Sequence, residues 1–540
     1  MKSPFCFLLE ISIFAILIVI TVIFFSPYEA TISNVIPIEE LWSIEDTRSE
    51  SEIPLIQTLL CNGVPAAYSR SENTFYCSLG LDNSDNWPNL RLTVPNAKGI
   101  TTCFSDDYSY DGCQEAIAEG YSYELISYTD TDYSYSNIIF TGLPHISLTF
   151  DAEMTTEDIP VFFEFGNFNE PAFSSYGRAH LRGDGSMQWS QKRGYRVEFT
   201  RKTNGHGKVA RYVPGISETD SLLLVPMAFD QTLMLDRLSW AMYDLITEDT
   251  APFSARNTRY TELFVNNEYA GVYLLMEPFD IAKELSKISS TALLTDNLYR
   301  TTVSSMAKDK PIALNTGKHA PAYELFHSPN ESHPFSALEH YYSLWNEEDD
   351  EHFSELVIKY IDIESALRYL MLVEAVGLSD NACNNLYIWM HKQNGYPIYR
   401  FKPWDMDRSW GTDAGEMYDH WFVVPIIDRI VNLNILDARN ILNSIWEEMK
   451  SKGFTYESVL SFVTQYEHEL NDSGAFMRNA LSWDTNASMA DSTKILDYCA
   501  IRFPLLDDTL SRICATKEKL PFLSGDVRQG DPLALSILNY

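Results

Sequence analysis

Residues 380–411 bring together side chains that could do chemistry. Asp380 and Asn385 stand at an Asp-x-x-x-x-Asn spacing. An apolar run, the turn Asn394-Gly395 and a second aromatic run follow, ending in Trp404-Asp405-Met406-Asp407. Carboxylates at i and i+2 after an aromatic strand are placed to meet a divalent cation from a turn, since hard cations prefer oxygen. Between Trp404 and Trp410 these two charges repel each other unless a cation or Arg408 compensates. An Asp for an attacking hydroxyl, with an Asn and an Asp for metal-bound phosphates, is the set that phosphoryl transfer uses. Glycoside hydrolysis by Asp405 and Asp407 is disfavoured, because carboxylates two residues apart rarely flank a sugar ring at ~5 Å or more.

Taken alone, Asp380 also suits a turn cap after a helix, and Asn385 beside Asn384 suits a plain turn. The surrounding elements must decide. Upstream, alternation predicts strands at 143–150, 161–165 and 178–182. A polar Gly-bearing loop, 183–191, leads to a strand at 195–199, with Lys192 and Arg193 entering it. Ser221 to Val225 reads as a buried strand. Met234 to Ile246 has helical periodicity and is capped by Asp230 or Thr232. Tyr260–Val265 and Gly271–Met276 form a hairpin around Asn266-Asn-Glu, ending at Glu277-Pro278. Residues 296–335 are polar with several prolines and read as an insertion or mobile loop. Helices are expected at 353–360, 363–376, 426–436, 441–450, 456–470 and 495–513. A β-rich half followed by an α-rich half is an α+β arrangement with the acidic stretch between them.

The 540 residues suffice for two or three domains. The formal charge of −35, from 75 acidic and 40 basic side chains, excludes nucleic acid and anionic lipid surfaces as partners and favours solubility. Residues 1–30 hold an apolar run from Ile11 to Phe25, broken only by Ser12 and Thr21 and extended by Phe5 to Leu9. That is near the ~20 residues a bilayer needs. Ser26-Pro-Tyr-Glu-Ala30 is a poor cleavage site, so a signal anchor is preferred to a cleaved signal peptide. The expectation is a single-pass membrane protein with its bulk at the cell surface or in the secretory lumen, or a secreted one if the segment is cleaved. Residues 31–50 read as an acidic linker and 51–142 as a small, disulfide-braced β-rich module. Local pairing would join Cys61 to Cys77, Cys103 to Cys113 and Cys499 to Cys514, among other connectivities. No CxxC pair suggests zinc. Asn330, Asn471 and Asn486 head glycosylation sequons.

An ordered set of segments carries a resemblance. It comprises Arg182-Gly-Asp-Gly-Ser186, Lys192-Arg-Gly-Tyr-Arg196, Asp230 with Leu235-Asp-Arg-Leu238, Gly271 to Glu277, Asp380 with Asn385, and Trp404 to Gly411. The chain resembles the CotH kinases, spore-coat-type proteins with an atypical, two-lobed protein-kinase-like fold, over residues 143–515, leaving 516–540 as a tail. The family's usual Arg-Gly-Asn-Ser and Lys-Lys-Pro-Tyr are here Arg-Gly-Asp-Gly and Lys-Arg-Gly-Tyr. The resemblance implies ATP-dependent phosphorylation of protein Ser or Thr. On that basis Lys192, with Arg193 beside it, would neutralise the α/β-phosphates, and Arg182 would touch phosphate. Gly183 to Ser186 would cover the phosphates, and Glu277 would end the strand leading to the adenine-contacting hinge. Asp380 would orient the attacking hydroxyl, while Asn385, Asp405 and Asp407 would hold Mg²⁺ or Mn²⁺. The competing expectation is a non-catalytic surface or adhesion protein that keeps the fold.

Overall fold

In a computed structural model, the structure describes residues 29–32, 35–81, 90–105, 113–247, 254–301, 319–320, 323–382, 384–412, 418–485, 487–520 and 534–536. The apolar N-terminal run, Cys6, Cys383, the Asn486 sequon and most of the 516–540 tail lie outside them. Among the described residues, no helix is long and apolar enough to cross a membrane.

Seven strands after residue 143 close into a barrel. They are β1 (His145–Thr149), β2 (Ile159–Gly166), β3 (Phe173–Arg182), β4 (Gly194–Thr200), β5 (Ser221–Val225), β6 (Thr258–Val265) and β7 (Glu268–Met276). Their order is β1-β2-β3-β4-β5-β7-β6, and the parallel pairing of β1 with β6 closes the ring. Period-2 alternation fills the barrel. Tyr195, Val197 and Phe199 point inward, which turns Arg196 to the opposite face. The β6–β7 turn uses Asn266 and Asn267 at φ 51° and 62°, the left-handed pair that a tight hairpin requires. Between β3 and β4, Asp184–Trp189 is a short helix, α1, where a polar loop was expected. It begins at Gly183, whose φ of 88° suits glycine.

The helix α2 (Leu235–Ile246) follows β5. The 296–335 region is not simply a loop. Asn297–Thr301 (β8) and Tyr323–His327 (β9) join Leu386–Gln393 (β10) and Tyr396–Pro403 (β11) in one sheet, with the two-residue strand His319–Ala320 at its edge. Below it packs α3 (Ile363–Val376), backed by α4 (Ala438–Ser451) and α6 (Thr493–Ala515), while α5 (Ala475–Ser482) packs on β7 of the barrel. One apolar cluster runs from Leu143 to Leu520 through these helices and the sheet, so the two lobes share a core.

The stretch expected as a linker is part of the N-terminal module. Glu29–Ile32 pairs with Leu92–Pro95, and the helix Ile38–Thr47 buries Ile44 against Ile126. The module reaches the two lobes through Thr141, Glu262 and Arg478. Arg478 donates to both Glu262 oxygens (2.9 and 3.0 Å) and to Thr141 Oγ1 (2.7 Å).

The disulfide expectation needs correction. Cys61, Cys77, Cys103, Cys499 and Cys514 are free thiols. Cys61 and Cys77 touch in the module core. Cys499 and Cys514 share α6. Their spacing along a helix is ~22 Å, far beyond disulfide reach. Asn471, one of the sequon residues, spends its side chain on both Ala490 N and Ala490 O.

Candidate active site at the lobe interface

A cleft of about 770 Å³ opens between the barrel and the helical lobe. Its upper wall carries His180 and Arg182 of β3, Arg196 of β4, and Gly183, Gly185 and Ser186. Its floor carries Asp236 of α2 with Asp380, Asn384, Asn385, Asp405, Asp407 and Arg408. Exposed Trp189 and Phe229 stand at the mouth.

Each acidic group is set by local structure. The helix α3 stops at Gly377, which takes φ 71° and bonds back to Val373 O. Three residues later Asp380 Oδ1 accepts from Asn384 Nδ2 and its Oδ2 from Asn385 Nδ2, both at 2.9 Å. Asn385 and Asp405 sit at φ 52° and 55°, a region that Asn and Asp tolerate better than most residues. The two acidic turns are tied together: Asn381 Nδ2 donates to Trp404 O (2.7 Å), and Trp410 N to Val376 O (2.8 Å). A third tie reaches α2, where Met406 N donates to Asp236 Oδ1 (3.2 Å). Tyr498 of α6 wedges against both turns. A Cβ on Gly377 or Gly411 would come within 2.4 or 2.5 Å of its ring or hydroxyl.

The electrostatics are those of crowded, buried carboxylates. Burial, and then the charge of Asp405, push Asp236 up to about 7, although Met406 N and Arg182 pull it back. Asp407 is pushed well above the usual carboxylate range by burial, then by Asp405, Asp236, Asp380 and Asp230. Arg182 is lowered by burial, and Asp405 opposes that shift. Negative charge therefore exceeds what the cleft's arginines neutralise. Among the described residues, no three Asp, Glu, His or Cys side chains converge closely enough to enclose an ion by themselves.

The cleft brings together seven of the ten residues expected to form the site: Arg182, Gly183, Ser186, Asp380, Asn385, Asp405 and Asp407. Three others lie elsewhere. Lys192 is buried at the seam between β7 and α5, donating to Val272 O (2.6 Å) and Asn479 Oδ1 (2.8 Å). Arg193 donates through Nη1 to Ser186 O (3.0 Å) and so is tied to α1. The Glu277 side chain turns to Ser217 and Lys283, while Pro278 and Phe279 line the cleft. Two residues were missed. Arg196 is recoverable from the strand alternation, which puts it opposite the barrel-filling residues. Asp236 occupies the first turn of a helix whose start is fixed by Asp230, which accepts from Leu235 N (2.8 Å).

The sequence model of one family, described as CotH kinase protein, matches residues 179–501. The chain belongs to the CotH kinase family. No curated protein matches it. The CotH match begins in β3 just before Arg182 and ends in α6, so it takes in both walls of the cleft and leaves out the N-terminal module.

Lys192 gives this CotH chain a direct test. Burial lowers its pKa to about 7 from the ordinary 10.5. Between those values the unfolded chain holds the extra proton, so this lysine makes stability rise with pH across that window. Lys192→Met is expected to flatten that rise in melts from pH 7 to 10. It should also cost about 1–3 kcal/mol by stranding Val272 O and Asn479.

Proposed function

We propose that the protein transfers the γ-phosphate of ATP to Ser or Thr of secreted or surface proteins, with Mg²⁺ or Mn²⁺. The observation that carries this reading is one cleft between two lobes, with the Asp380, Asn385, Asp405 and Asp407 oxygens on one wall and Arg182 with the Gly183–Ser186 turn on the other. Asp380 is held by two amide N–H groups, which aims its carboxylate for an incoming hydroxyl. Asn385 commits its N–H₂ to Asp380, so its oxygen is the end left for a cation. With Asp405 and Asp407 this makes an all-oxygen donor set. Mg²⁺ commonly takes one or two carboxylates and completes its shell with substrate phosphates and water, so a carboxylate cage is not required. When bound, the ion would neutralise charge on the phosphates. Arg182, and Arg196 beyond it, supply positive charge to the same phosphates in place of Lys192. An N-terminal anchor or signal would put this activity on the secretory side of a membrane.

The test is label transfer from ATP with Mn²⁺ or Mg²⁺ by the purified 31–540 chain. Asp380→Ala is expected to lose ~10²–10⁴-fold in rate, and Arg182→Ala to weaken ATP binding. Equal transfer by all three proteins would sink the proposal.

One observation favours a second reading. The upper wall of the cleft presents arginine and histidine but no lysine, alongside the altered Arg-Gly-Asp-Gly segment. A fold kept for surface display would show no ATP- and metal-dependent rise in melting temperature, whereas any ligand of the native state must raise it.

A further inference from the structure

Arg300 also lines the cleft, on the side of the helical lobe, apart from Arg182 and Arg196 of the barrel. It lies on β8, between β9 and β10, directly opposite Glu324 on one side and Tyr387 on the other. Residues paired across strands share a face of the sheet. Arg300, Glu324 and Tyr387 border the cleft, as does Phe326, two residues on from Glu324. Tyr299 turns to the other face and donates to Pro334 O (2.7 Å). The Arg300 guanidinium rests over the Phe326 ring, 5.5 Å from its centroid, and Phe326 meets Tyr387 edge to face at 5.1 Å.

The pair with Glu324 is incomplete. Arg300 Nη2 donates to Glu324 Oε2 (2.7 Å), but Nε is enclosed and has no partner among the described residues. A carboxylate that took both arms of the guanidinium fork would satisfy the two N–H groups together. An enclosed N–H without an acceptor carries its full desolvation cost. The two side chains are 20% and 28% exposed, so the one-armed pair is itself weak. Across the cleft, Arg182 on β3 feels the charge of Arg300, which opposes its protonation. One guanidinium from each lobe thus borders the same space, and each makes the other's charge more costly.

We propose that Arg300 is a further phosphate-binding residue of the cleft, paired with Glu324 until ATP binds and then transferred from that carboxylate to the phosphates. The inference rests on the ATP reading given above. A phosphate chain brings more oxygens and more charge than one carboxylate, and the planar guanidinium can turn its Nε and Nη2 edge to them. The exchange replaces one acceptor by another and satisfies the Nε–H that Glu324 leaves unpaired.

Two consequences follow from the placement. With Arg182 on the barrel and Arg300 on the β8 sheet, the phosphates tie the two lobes together. Glu324 becomes a competitor of ATP, because it holds the arginine that the phosphates need. The 296–335 region thereby supplies the cleft with both a cation and the carboxylate that restrains it.

The experiment is an isothermal titration of the full chain with ATP and Mg²⁺, run as a double-mutant cycle. Arg300→Gln is expected to weaken binding about tenfold or more, as for loss of one charge-assisted contact. Glu324→Gln is expected to tighten it about threefold, the worth of a part-exposed ion pair. In the Arg300→Gln background, Glu324→Gln should lose most of its effect, because no guanidinium is left to compete for. If Arg300→Gln fails to fold, Glu324→Gln decides alone: a purely structural cross-strand pair predicts a lower melting temperature and ATP affinity no tighter than that of the wild type. Equal affinity in all four proteins, weaker binding by Glu324→Gln, or the same gain from Glu324→Gln in both backgrounds would overturn this inference and leave ATP binding intact. No saturable binding by the wild type would overturn the ATP reading, and this inference with it.

Discussion

Changing Asp405 to Asn is expected to stabilise the metal-free protein while removing the proposed phosphotransfer. Asp236 is held up at about 7 and Asp407 well above its usual range, with Asp405 the leading charge behind both after burial. Neutralising Asp405 relieves two like-charge contacts in a dry pocket. One pKa unit corresponds to about 1.4 kcal/mol, so a gain on the order of 1–2 kcal/mol is reasonable. In a chain of this size that is a rise of roughly 2–4 °C in the transition of the two lobes. On the proposed reading the same substitution removes a cation ligand, and loss of metal-assisted charge stabilisation is worth several kcal/mol, or about 10³-fold in rate. The Asn can also adopt the left-handed backbone at this position, so the fold should persist. Paired melts, with and without Mn²⁺, make the contrast plain. Wild type should gain stability from the ion and Asp405→Asn should not. A variant that melts lower than wild type without metal, yet still responds to Mn²⁺, would show that Asp405 is a structural residue.

How much of this was legible in the chain depends on how local each feature is. The β6–β7 hairpin was readable because its turn residues, Asn266 and Asn267, carry their own backbone preference. The helix α2 was readable from its apolar period, and the acidic stretch from its own composition. Closure of the barrel was not, since it rests on β1 pairing in parallel with β6, more than a hundred residues away. The sheet built on β8 was hidden for the same reason: its partner β10 lies beyond three intervening helices. The short helix α1 was masked by two glycines and polar neighbours, which are weak helix formers, and tertiary context overrode that propensity. Lys192 misled because sequence order places it beside the right strand without saying which face it takes. It precedes β4, and its side chain is drawn to a seam where Asn479 of α5 meets Gly271 of β7. Arg196, four residues on, lies within the strand, where alternation does fix the face.

The largest expected effect on folding comes from Arg502, which is fully enclosed with Glu374. Arg502 donates to Glu374 Oε2 (2.6 Å), Glu374 O (2.9 Å), Tyr418 O (3.0 Å) and His420 O (2.7 Å). Glu374 in turn accepts from Phe422 N (2.9 Å). The pair is thus the junction of α3, α6 and the strand His420–Phe422. Burial pushes the Glu374 pKa well up, and Arg502 is the charge that opposes it. Arg502→Met strands that carboxylate and three carbonyls in an apolar core. Breaking such a pair from one side costs about 3–5 kcal/mol. Glu374→Gln should cost less, because the amide oxygen still accepts from one neighbour while the arginine keeps its three carbonyls. A double replacement should not recover the loss, since Tyr418 O, His420 O and Phe422 N would remain unpaired. The effect should also reach the site. Glu374 lies in the last turn of α3, six residues before Asp380, and Trp410 N bonds to Val376 O in the same turn. In urea unfolding, Arg502→Met should show a lowered midpoint, with the proposed phosphotransfer falling at temperatures where the chain is still folded. An unchanged midpoint would mean that water or a shifted main chain satisfies these groups, and that the pair is not what holds the acidic turns in place.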